Sequence, residues 1–191
     1  MADLRGRLKD LIQEKCVLHG DFLLASGQRS TVYFDCKRAT LDPEGIHLIA
    51  TLLLDLIADL ERRDGRPIDA IGGPTIGADP IVGHVAGLSW ERAAAGAPGP
   101  HAIRAFLVRK ESKEHGTRRV LENDIPRGSR VVVFEDVVTT GGSTLEAIRR
   151  AEEAGLEIAA VVSVVDREQG GAEALDRYRY LPIFRKSEFG L

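Results

Sequence analysis

Hydrophobic positions along the chain change period as the sequence proceeds. Leu4, Leu8, Leu11 and Ile12 recur at helical spacing with charges between them, which predicts an amphipathic helix closing near Val17 to Gly20. Phe22 to Leu24 and Thr31 to Asp35 are short strand-like runs, and the Ala-Ser-Gly-Gln-Arg-Ser connector between them is rich in turn formers and suits a hairpin. Asp42-Pro43 then opens a long helix running to about Arg63. Its Ile46, Ile49, Leu52, Leu53, Leu56, Ile57 and Leu60 form a single apolar stripe.

From Ile68 the pattern shifts to short continuous apolar runs. Ile68 to Ile71 ends in Gly72-Gly73-Pro74, and Gly77 to Leu88 reads as the helix that follows. Arg92 to Pro100 is small and turn-rich, a surface connection before a strand at Ala102 to Val108. Residues 109–123 are highly charged without periodicity and read as a long exposed loop, a kind that often carries function. Arg130 to Phe134 and Ala159 to Val165 are apolar, β-branched runs flanking a helix at Ser143 to Ala154. Such runs fit a parallel sheet covered on both faces. Gly170 to Tyr178 reads as a further helix and Leu181 to Phe184 as a terminal strand or extension. The fold class expected is α/β, a central and mostly parallel sheet flanked by helices.

Length and composition narrow the function classes. The 191 residues suit one compact domain with room for a small lobe, and a chain of that size buries about 70% of its unfolded surface, so no staples are needed. With 43% hydrophobic and 29% charged residues, the composition is that of an ordinary globular protein. The formal net charge of −3 lacks the positive field that drives nucleic-acid binding, so no nucleic-acid partner is expected. Cys16 and Cys36 have no CxxC spacing, which indicates neither a zinc site nor a disulfide framework and fits a reducing cytoplasm. The four histidines outside the charged loop show no metal-ligand spacing. Neither an export signal nor a membrane span is expected.

The chemistry concentrates in Val131 to Thr144, VVVFEDVVTTGGST, where an apolar strand delivers two adjacent acids and then a hydroxyl- and glycine-rich turn into a helix. Ligands in open α/β sheets bind at the carboxyl ends of strands. Thr139, Thr140, Gly141, Gly142 and Ser143 can converge backbone N–H groups on a phosphate beside the helix N-terminus. Neither a Walker lysine nor a GxGxxG fingerprint is present. Glu135 and Asp136 would repel that phosphate if they faced it, but can accept from hydroxyls one sugar-length away, so a ribose 5-phosphate satisfies both features. Taken alone, the turn also reads as a helix cap at Ser143, Arg167 as a salt-bridged strand end, and the charged loop as a solvated surface.

The segment EDVVTTGGST resembles the phosphoribosyl pyrophosphate (PRPP) signature of type I phosphoribosyltransferases. RKESKEHG at 109–116 is similar to the mobile catalytic loop of the orotate branch of that family, SGQRSTVYFD to its orotate-side hood, and Asp166-Arg167 to a late-strand pair. These islands run from about 22 to 168. The resemblance implies a single phosphoribosyltransferase domain over 1–191, with a small N-terminal hood from about 1–40 joined by the C-terminal segment. It implies a pentosyltransferase that uses Mg²⁺ held mainly through PRPP. PRPP would be bound by Arg109, Lys110, Lys113, His115, Glu135, Asp136, Val137, Val138, Thr139, Thr140, Gly141, Gly142 and Ser143. Arg109, Lys113 and His115 would be the catalytic members. Orotate would meet Thr139, Arg167, Tyr33 and Phe34, and Gly73 to Gly77 would touch pyrophosphate through backbone groups. A homodimer is implied, its loops shared across subunits.

Three departures stand out. Ala25 occupies the place of a common lysine, so one pyrophosphate cation is missing, for which Lys37 or Arg38 would substitute. Gly73-Pro74-Thr75-Ile76-Gly77 lacks a common Tyr-Lys pair, and Glu135 stands where aspartate is usual. Two other functions share parts of this pattern. A purine-base transferase is disfavoured by Arg167 and the aromatic hood, and a non-catalytic PRPP sensor is disfavoured by the intact Lys113 and His115.

Overall fold

The computed structural model describes residues 3–23, 29–97, 101–109 and 121–191. Helix α1 (Leu4–Lys15) is capped by Asp3, whose carboxylate accepts from the Gly6 N–H at 2.8 Å, and it buries Leu8, Leu11 and Ile12. It ends sooner than its pattern suggested. Val17 leaves the helix because it pairs with Phe34, opening the antiparallel hairpin of β1 (Val17–Leu23) and β2 (Arg29–Phe34). A one-turn helix α2 (Lys37–Thr40), too short to leave a periodic signal, precedes α3 (Pro43–Asp64). The long helix matches its pattern closely: Asp42 accepts from the Glu44 and Gly45 N–H groups at 2.9 and 3.0 Å, Pro43 begins it, and Gly65 ends it in the left-handed conformation.

The remaining strands build a six-stranded sheet in the order β5-β4-β3-β6-β7-β8. These are β3 (Ala70–Pro74), β4 (Arg104–Val108), β5 (Leu121–Glu122), β6 (Arg130–Val138), β7 (Glu157–Asp166) and β8 (Tyr180–Arg185). Every pairing is parallel except that of β5 with β4. Buried runs in β3, β6 and β7 occupy the centre, as the continuous apolar runs predicted. Pro182 lies on the edge strand β8, where a missing N–H is tolerated.

Helices α4 (Asp79–Ala94), α5 (Gly142–Glu153) and α6 (Gly171–Ala174) complete the layers. Four further expectations change. Helix α4 takes in Arg92 to Ala94, good helix formers that the small-residue composition had assigned to a connector, and the chain turns instead at Gly96. The charged loop does not reach Asn123, because Leu121 and Glu122 pair with Val108 and Leu107; a two-residue strand has no period to read. The helix expected over Gly170 to Tyr178 is one turn, since the chain must reach Tyr180 to join β7 opposite Val161. Strand β6 runs on past Phe134 through both acids to Val138.

The hairpin is tied to the end of the chain. Phe34 packs edge-on against Phe189 of the terminal 3₁₀ turn (Lys186–Phe189) at 5.5 Å between ring centres, and the Arg5 guanidinium lies 4.5 Å above Phe184. Phe34, Phe184 and Phe189 belong to one buried cluster with the apolar faces of α1 and α3. Among the described residues no helix is long and apolar enough to cross a membrane.

Candidate active site

The strand order reverses beside β3, with β4 on one side of it and β6 on the other. Loops leaving the carboxyl ends of β3 and β6 therefore part there and leave a crevice, the position where open α/β sheets bind ligands. A cleft of about 420 Å³ opens at that point, lined by Lys37, Pro74, Thr75, Ile76, Gly77, Glu135, Asp136 and Ser143. The Thr75–Ile76 peptide in its wall is cis.

Glu135 and Asp136 come from the C-terminal half of β6 and are set close against the loop after β3. A Cβ on Gly77 would lie 2.6 Å from Asp136 Oδ1 and 3.2 Å from Glu135 Oε1, so glycine is what lets that loop approach the acids. Glu135 is only 6% exposed. Its Oε2 accepts from the Ser143 hydroxyl at 3.0 Å and the Thr144 hydroxyl at 3.4 Å. Burial, reinforced by the neighbouring Asp136 charge, pushes the Glu135 carboxyl up to about 8. Burial raises Asp136 as well, while the Val137 N–H, which donates to its Oδ1 at 2.9 Å, and the charge of Lys37 pull it back. Two carboxyls so close in a shielded cleft do not both ionise freely, and hydroxyl donors or a cation would relieve them.

Beyond the acids, Thr139 to Ser143 turn into α5. Gly141, at φ +80°, is the N-cap, and no acidic side chain occupies the first helical turn. Ser143 is thus inside the helix and does not cap it. Its hydroxyl is spent on Glu135, so the cap reading of Ser143 is corrected: the turn has a backbone cap and open N–H groups, which suits an anion. Val137 and Val138 complete the strand, and the Val138 carbonyl accepts from the Arg167 N–H at 2.9 Å, joining the ends of β6 and β7.

Arg109 lies at the end of β4 in a recess of about 170 Å³ that shares Pro74 and Ser143 with the larger cleft. Its Nε donates to Glu122 of β5, and its carbonyl accepts from Arg150. Glu122 was not singled out in the sequence; its pairing across from β4 is visible only in three dimensions. Lys110, Lys113 and His115 lie outside the described residues, as does Ala25.

On the hood side, Tyr33 is half-buried and its ring lies 5.5 Å from that of Phe22, whereas Phe34 is in the core against Phe189. Arg167 is 6% exposed and reaches the hairpin through Nη2, 3.4 Å from the Val32 carbonyl. Among the described residues its buried Nε has no hydrogen-bond partner. Burial draws its pKa down, against a smaller opposing influence from Tyr33. A shielded guanidinium with an unused donor is costly unless an anion completes it, which disfavours reading Arg167 as an ordinary salt-bridged strand end.

Comparison with known proteins agrees with this geometry. Residues 42–183 match the phosphoribosyl transferase domain family. The orotate phosphoribosyltransferase of Streptomyces coelicolor is 43% identical over 194 aligned positions, covering 100% of both chains. That of a Bradyrhizobium strain is 42% identical, covering 89% of this chain and 87% of its own. Among solved structures, Mycobacterium tuberculosis orotate phosphoribosyltransferase in complex with Fe(III) dicitrate superposes with a TM-score of 0.79 at 36% identity, covering 98% of this chain and 99% of its own. The same enzyme in complex with PRPP gives a TM-score of 0.74 at 34% identity, with the same coverage. With the acid pair, the glycine-lined cleft and the buried arginine in one chain, and relatives matching it from end to end, the protein belongs to the orotate phosphoribosyltransferase family of phosphoribosyl transferase domains.

Proposed function

We propose that the cleft transfers the 5-phosphoribosyl group of PRPP to a ring nitrogen of orotate, giving orotidine 5′-phosphate and pyrophosphate, a step in making pyrimidine nucleotides. The observation that carries the choice of orotate is Arg167, buried beside Tyr33 with its Nε unpartnered. An anionic flat ring would complete the guanidinium and lie along the Tyr33 side of the hood. Thr139, at the strand end next to Arg167, would reach the same ring. The core position of Phe34 gives it a supporting role behind Tyr33.

In this reading Glu135 and Asp136 accept from the ribose hydroxyls, and Thr139 to Ser143 receive the 5-phosphate on backbone N–H groups at the start of α5. The bond from the ribosyl carbon to the pyrophosphate oxygen breaks as the orotate nitrogen attacks. Positive character builds on the ribosyl carbon and negative charge on the departing pyrophosphate. Arg109, Lys110, Lys113 and His115 would offset that negative charge, each charge-assisted hydrogen bond contributing about 1.5–3 kcal/mol. Exclusion of water protects the electron-poor carbon from hydrolysis.

A divalent cation such as Mg²⁺ fits the donors present. Among the described residues no group of three or more His, Cys, Asp or Glu is placed to hold a metal, and Mg²⁺ commonly rests on one or two carboxylates and substrate oxygens instead of a protein cage. Glu135 and Asp136, through the ribose hydroxyls, are the residues that would hold it beside PRPP. When bound, it supplies charge neutralisation for the leaving pyrophosphate.

The loop containing Lys113 is taken to serve the partner's cleft in a homodimer, and two cysteines without a CxxC or framework spacing fit a reducing cytoplasm. The test is pyrophosphate release from PRPP and Mg²⁺ with orotate, adenine, hypoxanthine or uracil as acceptor. Release with orotate alone is expected. Release with a purine instead would replace the substrate assignment, and silence with all four in protein that binds PRPP would favour a sensor.

A further inference from the structure

The walls of the 420 Å³ cleft carry two acids and a single cation, Lys37, among the described residues. A polyanion entering such a site meets repulsion from Glu135 and Asp136 unless that cation faces it. Lys37 begins α2, three residues on from the end of the hood strand β2, and lines the cleft together with the Pro74–Gly77 loop. The adjacent Arg38 does not line the cleft and turns to Asp35, its Nε 3.3 Å from Oδ2.

The amine of Lys37 is held loosely. It lies 3.4 Å from Asp35 Oδ1, longer than the 2.7–2.9 Å usual for charged N–H···O pairs, and the side chain is about half exposed. That Asp35 oxygen is buried and makes no hydrogen bond among the described residues. The ammonium therefore has donors to spare, and it can swing toward a ligand while Asp35 and Asp136 keep it charged. Burial opposes that charge, yet Asp136, Asp35 and Tyr33 together outweigh it and raise the Lys37 pKa, so the side chain is a cation throughout the neutral range.

We propose that Lys37 is a pyrophosphate-binding residue, holding the departing group against the Pro74–Gly77 side of the cleft. The inference rests on the phosphoribosyl-transfer reading above and extends it to a residue for which the sequence offered Arg38 equally. A purely structural lysine, balancing Asp136, would affect everything the acids bind. A pyrophosphate ligand would affect only ligands that contain pyrophosphate.

The two roles separate by calorimetry with magnesium pyrophosphate and, in parallel, ribose 5-phosphate. Lys37→Gln is expected to weaken pyrophosphate about tenfold to a hundredfold while changing ribose 5-phosphate less than twofold, and Lys37→Arg is expected to restore most of the loss. Equal loss of both ligands, or unchanged pyrophosphate affinity in a variant with wild-type melting temperature, would overturn the assignment. If Lys37→Gln does not fold, Lys37→Arg and Lys37→Met measured against the same two ligands decide the matter. Wild-type protein that binds neither PRPP nor pyrophosphate would instead overturn the functional reading beneath it. Wild-type turnover of orotate with an indifferent Lys37→Gln would sink this inference alone.

Discussion

Glu135 holds its proton well above the ordinary carboxyl range because it is buried beside Asp136, and this supplies a pH signature. In the unfolded chain it releases its proton near 4.5, whereas in the fold it holds it up to about 8. Between those values the native state binds more protons, so its contribution to stability is complete below about 4.5 and is lost as the pH rises through about 8. Melting of the ligand-free protein from pH 5 to 9 should show this decline, on the order of a few kcal/mol, and Glu135→Gln should flatten it. An equal slope in the variant would mean the carboxyl is not held as described. Arg167→Gln should raise the KM for orotate at least tenfold, the cost of a charged hydrogen-bonding group, while leaving PRPP affinity within about twofold; equal damage to both would remove it from the base side. The sequence identified these residue types because chemistry demands them. It did not reveal that Ser143 and Thr144 donate to Glu135, since that contact depends on β6 running on through the acids to set Glu135 beneath the first turn of α5.

At the scale of elements, strand β6, the Thr139 to Ser143 turn and α5 form one unit whose order along the chain was legible from the apolar run, the acids and the glycines. Its closure against the loop after β3 was not, because Gly77 reads locally as a mere helix boundary. The close approach of Gly77 to Asp136 predicts that Gly77→Ala displaces the carboxylate. PRPP affinity measured by calorimetry should fall at least tenfold with little change in melting temperature, and retained affinity would show that the loop has room to spare. Pairing of β5 with β4, the link of Arg109 to Glu122, and the approach of His47 on α3 to His84 on α4, 6.0 Å between ring centres, escaped sequence reading for a shared reason. Each depends on packing between distant segments and leaves no local period.

Over the whole molecule, the parallel sheet and its reversal beside β3 gather Lys37, Pro74 to Gly77, Glu135, Asp136 and Ser143 around one cleft, and the Arg167 N–H ties the end of β7 to the end of β6 through the Val138 carbonyl. The hood is fixed by aromatic contacts between the hairpin and the end of the chain. If catalytic loops are exchanged between subunits, Lys113→Ala and Asp136→Asn proteins, each inactive alone, should regain about a quarter of wild-type activity when mixed at random. Half the dimers would then be mixed, each with one intact site of two. No recovery in verified heterodimers would assign each loop to its own cleft. The central claim is that one cleft binds PRPP through its acids and orotate through Arg167. It is tested most directly by following orotate absorbance and pyrophosphate together in wild-type protein with PRPP and Mg²⁺. One pyrophosphate released for each orotate converted to orotidine 5′-phosphate is the expected result; orotate left unchanged, in protein shown to bind PRPP, would contradict the account.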